Sequence, residues 1–292
     1  MPKSDTQKGI LYAAMAFSFW GLIAIYWKQI SFLSAWELLY HRVIWGVIPI
    51  IAYLFWSKSW SKFKILLNFK TFSFAFIAAI LIIANWVIFI WAVSKGHVLE
   101  VSLGYFLNPL LNVVLGTLFL GESLKRNQQA AVALAGLGLG IMFAGDLGAP
   151  WISLALASSF AFYGLVRKKA PLTPAHGLFF EMTIAILLMT PFVGKLFPFE
   201  YFSLELKYQL LIVLAGPITI FPLILFNRAV KLINYSTVGI IQYLAPTFQF
   251  LLAVLIFHEN FSLRHAGAFA LIWLAVGLYL RETFQNHKNR AQ

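Results

Sequence analysis

The sequence lacks cysteine and has few charged residues. No Cys occurs among its 292 residues, which excludes disulfide bridges, thiolate metal sites and a cysteine nucleophile. Charged residues make up 11% and hydrophobic residues 61% of the chain, whereas a typical soluble domain has about 25% charged residues. The mean hydropathy is +0.82. This composition indicates an integral membrane protein whose main surroundings are the lipid bilayer.

The sequence also lacks recognisable nucleotide-binding and catalytic motifs. It has no GxxxxGK[ST] loop, so ATP is not expected to drive it. His258-Glu259 begins like a zinc-protease HExxH motif, but Ser262 stands where the second His is required. We therefore expect no catalytic residue, no metal site and no cofactor. The net charge of +12 comes from short loops rather than from a basic domain, so nucleic acid is not an expected partner.

Long apolar runs are abundant instead. Because about 20 apolar residues are enough to cross a bilayer as a helix, the runs predict an all-α integral membrane protein with ten transmembrane helices. The first span has no small-residue cleavage site after it and is expected to stay uncleaved. The ten predicted spans cover residues 9–27, 36–56, 72–94, 99–120, 128–146, 150–167, 175–196, 208–229, 235–257 and 265–284.

The second half of the sequence repeats the first. An offset of 137 residues relates Pro109 to Pro246 and Glu122 to Glu259 without a gap. Each half holds five spans, an odd number, so the second copy must be inverted in the membrane relative to the first. Inverted repeats are a common construction of alternating-access carriers. We therefore predict two repeats, residues 1–146 and 147–292.

The basic residues predict the orientation. With a cytoplasmic N-terminus, the ten spans place sixteen Lys and Arg residues at the cytoplasmic face. Five fall at the other face: Lys28, Lys95, Lys195, Lys207 and Arg264. The positive-inside rule then predicts that both termini are cytoplasmic. We expect a multi-pass protein of the bacterial inner membrane, present as a monomer or weak dimer.

The second span carries three polar residues near its start. Glu37 and His41 lie one helical turn apart, and Arg42 follows. A charged residue at membrane depth costs about 2.5–3.5 kcal/mol on insertion scales, so it usually faces a cavity or a partner. Arg42 is therefore a candidate to bind an anionic substrate group, and His41 is a candidate proton carrier. The alternative is that Arg42 extends to the lipid headgroups and Glu37 caps the helix.

A polar stripe lies on one face of the fourth span and has a counterpart in the ninth. The stripe consists of Tyr105, Asn108 and Asn112, and the offset of 137 leads to Gln242 and Gln249. Side chains three and four residues apart share a helix face, so both stripes are predicted to line one substrate pathway. The alternative is hydrogen bonding between helices inside the bundle.

Two prolines and several aromatic residues accompany the stripes. Pro109 and Pro246 each remove one backbone hydrogen bond inside a span, and we predict that both helices bend there as hinges. An aromatic residue beside a glycine recurs as Trp20-Gly21 and Tyr163-Gly164. With Asn85 and Trp86, these aromatic residues are predicted to wall a cavity. The alternative is that they face lipid.

The remaining candidates are acidic. Glu181 lies early in the seventh span and is a candidate proton site, with an ion pair to Arg167, Lys168 or Lys169 as the alternative. Glu122 and Glu259 follow the fourth and ninth spans. Together with Glu37 they are predicted to act at helix ends and gates rather than as substrate ligands.

Several strings of residues identify a family resemblance. They are HRVIW from His41, NWVIFIWAV from Asn85, GYFLNPLLNVVLG from Gly104, GE at Gly121 and SFAFYGLVRKK from Ser159. In these strings the chain resembles the RarD-type permeases, EamA-domain members of the drug/metabolite transporter superfamily. The resemblance implies a ten-helix inverted-repeat fold with a central cavity formed mainly by spans one, three, four, six, eight and nine. RarD-like proteins are associated by name with chloramphenicol sensitivity, and other members of the superfamily export amino acids and metabolites.

The sequence thus predicts a secondary transporter for small metabolites or drugs. Its substrate is expected to be amino-acid-like, amphipathic or anionic. Two alternatives are a proton-coupled importer, which needs a titrating group such as His41 or Glu181 in the pathway, and a non-transporting membrane scaffold or regulator.

Overall fold

A computed structural model describes residues 3–61, 64, 68–143, 150–192, 199–256 and 263–289. These residues form twelve α-helices, short 3₁₀ segments and no β-strand, which confirms the all-helical prediction. Each of the ten predicted spans overlaps at least one of the helices. The helices are α1 (Lys3–Leu22), α2 (Ala24–Gln29), α3 (Ala35–Trp56), α4 (Phe69–Ser94), α5 (Val98–Leu120), α6 (Arg126–Phe143), α7 (Pro150–Lys169), α8 (Pro174–Met189), α9 (Leu206–Leu232), α10 (Tyr235–Gln242), α11 (Leu244–Leu255) and α12 (Leu263–Asn289).

Two predicted spans are each divided into two helices. The first consists of α1 and α2, which are separated at Ile23. The ninth consists of α10 and α11, separated at Tyr243. Pro246 has no N–H to donate to the Gln242 carbonyl four residues earlier, which weakens the helix at this break. Its counterpart Pro109 lies inside the continuous helix α5.

Six described segments are long and apolar enough to cross a membrane. They are Asp5–Gln29, Ala35–Trp56, Phe69–Val93, Glu100–Leu120, Leu206–Leu232 and Ala266–Thr283. The shorter helix α8 is also apolar. Large apolar side chains face outward, among them Leu118 at 72% exposure and Phe69 at 83%. Such a surface suits lipid rather than water.

The two halves of the chain are interleaved in one bundle. Helix α5 packs against α7, α1 packs against α9, and α6 packs against α12. Where α3 crosses α9, a Cβ on Gly216 would lie 2.1 Å from the carbonyl carbon of Trp45. Only glycine permits this approach, as at close helix crossings in membrane proteins. The main helix contacts therefore join the first half to the second.

Candidate functional site

A cavity of about 650 Å³ lies between α1, α2, α3, α4, α5, α7, α9 and α10–α11. Its wall continues to residues 33–35, where Ser34 is exposed. We call this the open end of the bundle. The opposite end, which contains the C-termini of α5, α7 and α9, is called the closed end. The volume is in the range of small-molecule sites, which is roughly 300–1,000 Å³.

The wall combines many apolar side chains with a few polar ones. Eight of the sequence-predicted residues line the cavity: Trp20, Arg42, Asn85, Trp86, Tyr105, Gln242, Pro246 and Gln249. Helix α3 contributes Arg42 and Leu38, so the second span adds to the set of cavity helices that the family resemblance implies.

Arg42 points into the cavity and is partly buried. Its Nε donates to Thr219 Oγ1 at 3.0 Å, and the Thr219 hydroxyl donates in turn to the Ala215 carbonyl at 2.8 Å. The guanidinium carbon lies 5.2 Å from the ring centre of Trp27 and 5.5 Å from that of Trp86. Cation–π contacts of this length hold a guanidinium in place without neutralising it. In the described part of the chain no carboxylate forms an ion pair with Arg42.

Aromatic rings close the inner side of the cavity. Phe226 is fully buried, and its ring centre lies 5.2 Å from that of Phe160 and 6.0 Å from those of Phe17 and Trp20. Tyr163, also fully buried, stacks on Phe226 at 6.2 Å. We call these five residues the aromatic floor. Phe17, Trp20 and Phe160 line the cavity, whereas Phe226 and Tyr163 do not.

The two asparagines of the predicted stripe lie behind the cavity wall. Gln242 donates to Asn108 Oδ1 at 2.6 Å, and Asn112 donates to Gln242 Oε1 at 2.8 Å. Asn108 also donates to the Ala157 carbonyl of α7 at 2.6 Å. Asn108 and Asn112 are 1% and 0% exposed. This amide cluster joins α5, α7 and α10 by hydrogen bonds, which is the alternative arrangement that the sequence left open.

Glu181 and Tyr163 belong to a second polar cluster, which adjoins the aromatic floor through Tyr163. Arg167 Nη1 lies 3.5 Å from Glu181 Oε1, and Tyr163 donates to Glu181 Oε2 at 3.0 Å. Asn227 donates to the Tyr163 hydroxyl at 3.0 Å and accepts from Arg167 Nε at 3.1 Å. We call these four residues the buried ring. The ring is closed by interactions among its own members, and none of them lines the cavity.

Glu37 and His41 also lie outside the cavity wall. Glu37 forms a capping box with Ser34 at the start of α3, with hydrogen bonds of 2.7 and 3.2 Å. His41 is 2% exposed, and its Nδ1 accepts from Trp45 Nε1 at 3.1 Å. The imidazole packs beside Tyr201, with ring centres 5.6 Å apart. The structure thus separates His41 from its neighbour Arg42, because consecutive residues of a helix point about 100° apart.

Glu122 lies at the closed end and connects α5 to α10. Its carboxylate accepts from the Tyr235 N–H at 2.6 Å, from the Ser236 N–H at 2.9 Å and from the Ser236 hydroxyl. These donors form the first turn of α10, where backbone N–H groups favour a negative charge. Gly121, at φ +65°, ends α5 in the left-handed conformation and directs Glu122 toward α10. Glu259 lies outside the described residues.

Two lysines at the closed end cap each other's helices. Lys168 on α7 donates to the carbonyls of Val230 and Ile233 at 2.8 and 2.6 Å. Lys231 on α9 donates to the Lys168 carbonyl at 2.9 Å and also to that of Ala170. Each ammonium therefore satisfies the free carbonyls at the end of the other helix.

Three residues important to the cavity were missed by the sequence reasoning. Trp27 and Thr219 hold Arg42, and Phe226 forms the centre of the aromatic floor. The offset of 137 relates Phe226 to Phe89, which lines the cavity, and this repeat was a usable signal. Thr219 is one of few polar residues in its apolar span, but Trp27 offers no signal beyond its residue type.

The chain is similar to a known transporter family over nearly its whole length. A model of the EamA-like transporter family matches residues 7–144 and again residues 147–281. The chain is 40% identical over 288 residues to the uncharacterized transporter YojE of Bacillus subtilis, covering 96% of this chain and 95% of that protein. It is 37% identical over 300 residues to the protein RarD of Escherichia coli K12, covering the full length of both.

One solved crystal structure has the same fold. It superposes with a TM-score of 0.72 over 93% of this chain and 96% of that chain, at 18% identity. At this level of identity the likeness concerns the fold alone.

Proposed function

The chain belongs to the EamA-like transporter family, as the resemblance to RarD-type permeases predicted, and from this premise we propose how it works. It is a secondary carrier that moves a small amphipathic organic molecule across the bacterial inner membrane by alternating access. The observation that carries the proposal is the cavity of about 650 Å³, which reaches the open end and stops at the aromatic floor. A non-transporting scaffold has no need of such a cavity.

The proposed architecture has ten membrane crossings in two inverted repeats, residues 1–146 and 147–292. The packing supports a twofold pseudosymmetry, because helix contacts occur in matched pairs. The pair α4–α7 matches α9–α1, the pair α5–α7 matches α10–α1, and the pair α3–α9 matches α8–α4. Exchanging the two halves leaves this pattern unchanged, as expected of a duplicated fold.

The proposed orientation puts the closed end in the cytoplasm. Arg167, Lys168, Lys169 and Lys231 all lie at that end, and the positive-inside rule favours their side as cytoplasmic. The cavity then opens to the periplasm. In this orientation the protein is in an outward-open state.

Transport requires the closed end to open and the open end to close. We propose that Glu122, Lys168 and Lys231 hold the closed end together. We also propose that α5 bends at Pro109 and that the ninth span bends at Pro246. The pathway is lined by Trp20, Arg42, Trp86, Tyr105, Gln242 and Gln249. The amide cluster holds Gln242 in place, and the buried ring supports the aromatic floor from below.

Uptake into proteoliposomes tests the function. Radiolabelled amino acids, organic anions, nucleosides and chloramphenicol are each offered to the reconstituted protein and to protein-free liposomes. We expect protein-dependent uptake of at least one class. Leu38→Trp should reduce this uptake strongly because it fills the cavity, whereas Leu118→Trp, at a lipid-facing position, should not.

Accessibility labelling separates a carrier from a scaffold. The chain contains no native cysteine, so Gln249→Cys introduces one reactive thiol into the cavity wall. A membrane-impermeant maleimide should label this thiol from the periplasmic face. Absence of labelling together with absence of uptake for every class would contradict the proposal.

A further inference from the structure

The cavity wall specifies the charge of its ligand. Among the described lining residues, Arg42 is the one Lys or Arg, and there is no Asp or Glu. Resting on the proposed transport function, we infer that the substrate is an organic monoanion, a carboxylate attached to an apolar body of aromatic size.

Arg42 presents the end of its guanidinium to the ligand. Its Nε donates to the Thr219 hydroxyl at 3.0 Å. That hydroxyl in turn donates its proton to the Ala215 carbonyl at 2.8 Å. This arrangement leaves the two terminal nitrogens for a bidentate pair with a carboxylate, which is the strong and directional form of an arginine contact. Trp27 and Trp86 hold the guanidinium from its sides.

A cavity wall with one positive charge favours a ligand with one negative charge. An arginine in a low-dielectric wall is costly when it is unpaired, and a ligand carboxylate supplies the missing charge. A zwitterionic amino acid would add an ammonium that finds no carboxylate among the described lining residues. A dianion such as a phosphate monoester would leave its second charge unpaired. A neutral ligand would leave the Arg42 guanidinium without a counter-ion.

The remaining wall fits an apolar body. Phe17, Trp20, Phe89, Phe160 and Leu223 line the same cavity as Arg42. Trp20 and Phe160 meet edge to face with ring centres 5.8 Å apart, so a flat group can rest against an aromatic surface. A volume of about 650 Å³ leaves space for a body well beyond a simple acetate.

Four matched compounds test the inference on the full chain in phosphatidylcholine nanodiscs. They are 3-phenylpropionate (monoanion), 3-phenylpropionamide (neutral), phenylalanine (zwitterion) and 3-phenylpropylamine (cation). Calorimetry at pH 7.5 gives a Kd for each. We expect 3-phenylpropionate to bind at least tenfold more tightly than the other three.

Three variants assign this preference to Arg42. Arg42→Gln should weaken 3-phenylpropionate to the level of the amide, and Arg228→Gln, the same change at an exposed position away from the cavity, should leave all four Kd values unchanged. Thr219→Val keeps the charge but removes the Nε acceptor, and should weaken the anion about three- to tenfold without affecting the amide. The ratio of anion to amide affinity separates this role from damage to the fold, which weakens both ligands alike.

Other outcomes would overturn the inference. Equal binding of phenylalanine or of the amide would contradict the monoanion class while leaving a ligand-binding carrier in place. Unchanged anion preference in Arg42→Gln and Thr219→Val would contradict the role of Arg42. Absence of binding by all four compounds would reject organic monoanions as the substrate class. Uptake of a different class of compound, together with labelling of the Gln249→Cys thiol, would show in that case that the protein is still a transporter.

Discussion

Arg42 and Arg167 are two arginines inside the same bundle with opposite surroundings. Arg167 is 1% exposed, lies 3.5 Å from Glu181, and donates to Asn227 and to the carbonyls of Thr173 and Pro174. Arg42 is partly buried, faces the cavity and, among the described residues, donates one hydrogen bond, to Thr219. The two residues have the same side chain, Arg42 within α3 and Arg167 in the last turn of α7.

The difference separates a structural charge from a functional one. A buried charge that has a counter-ion and several hydrogen bonds fixes the position of the helices that carry it, and removing the counter-ion is costly. A charge that is held by a hydroxyl and two rings, without a counter-ion, retains the capacity to bind an anion. Arg167 therefore has a counter-ion in Glu181, whereas among the described residues the cavity offers Arg42 none.

The largest effect is expected from breaking the Arg167 pair. Arg167→Met leaves Glu181 buried without its partner and should lower the free energy of unfolding by about 3–5 kcal/mol. The double variant Arg167→Met/Glu181→Leu removes both charges and should recover most of the loss. Unfolding in detergent, followed by circular dichroism, measures both. Equal stability of the single variant and the wild type would show that the pair contributes nothing.

A smaller loss of stability is expected from a substitution that displaces the Arg167 side chain. A Cβ on Gly177 would lie 1.6 Å from Arg167 Nη1, so Gly177→Ala must displace the guanidinium and should cost about 1–3 kcal/mol. Gly140→Ala is the matched control, because no atom of the described residues lies within 4 Å of a Cβ there. That change should be neutral or stabilise by up to about 1 kcal/mol, since alanine favours a helix. A loss of equal size in both variants would mean that Arg167 tolerates displacement.

Glu122 tests whether the closed end can be loosened without loss of folding. Glu122→Gln weakens charge-assisted bonds to Tyr235 and Ser236 and should favour opening by about 1–2 kcal/mol. A single Thr237→Cys reporter, 4% exposed in the present state, should then be labelled faster from the cytoplasmic side. The reporter alone, with Glu122 intact, is the control. Unchanged labelling would mean that Glu122 does not hold the closed end.

The sequence predicted where the helices lie along the chain better than it predicted which side chains face the cavity. The third helix spans Ala35–Trp56 against a prediction of 36–56, because a long apolar run limits where a helix can begin and end. Pro246 marked the break between α10 and α11 for an equally local reason. These features depend on the chain near each residue, but the repeat is not exact, since Pro109 lies inside the continuous helix α5.

The candidate site was predicted only in part, because its membership depends on how each helix is rotated. Arg42 faces the cavity while His41 faces Tyr201, and Gln242 reaches the wall while Asn108 and Asn112 lie behind it. On helices that are apolar nearly all round, the sequence pattern does not select the inward face. Packing against the other half selects it, and that contact is not local.

The most direct test of the account compares Arg42→Gln with Arg167→Gln in the same unfolding experiment, without ligand and with 3-phenylpropionate at about 100 times its wild-type Kd. Such a concentration should stabilise a binding-competent protein by about 2.7 kcal/mol. We predict that Arg42→Gln keeps wild-type stability within about 1 kcal/mol without ligand but loses the ligand effect. Arg167→Gln should lose stability and keep the ligand effect. If Arg42→Gln instead unfolds as easily as Arg167→Gln and still responds to the ligand, the distinction between the two arginines is wrong.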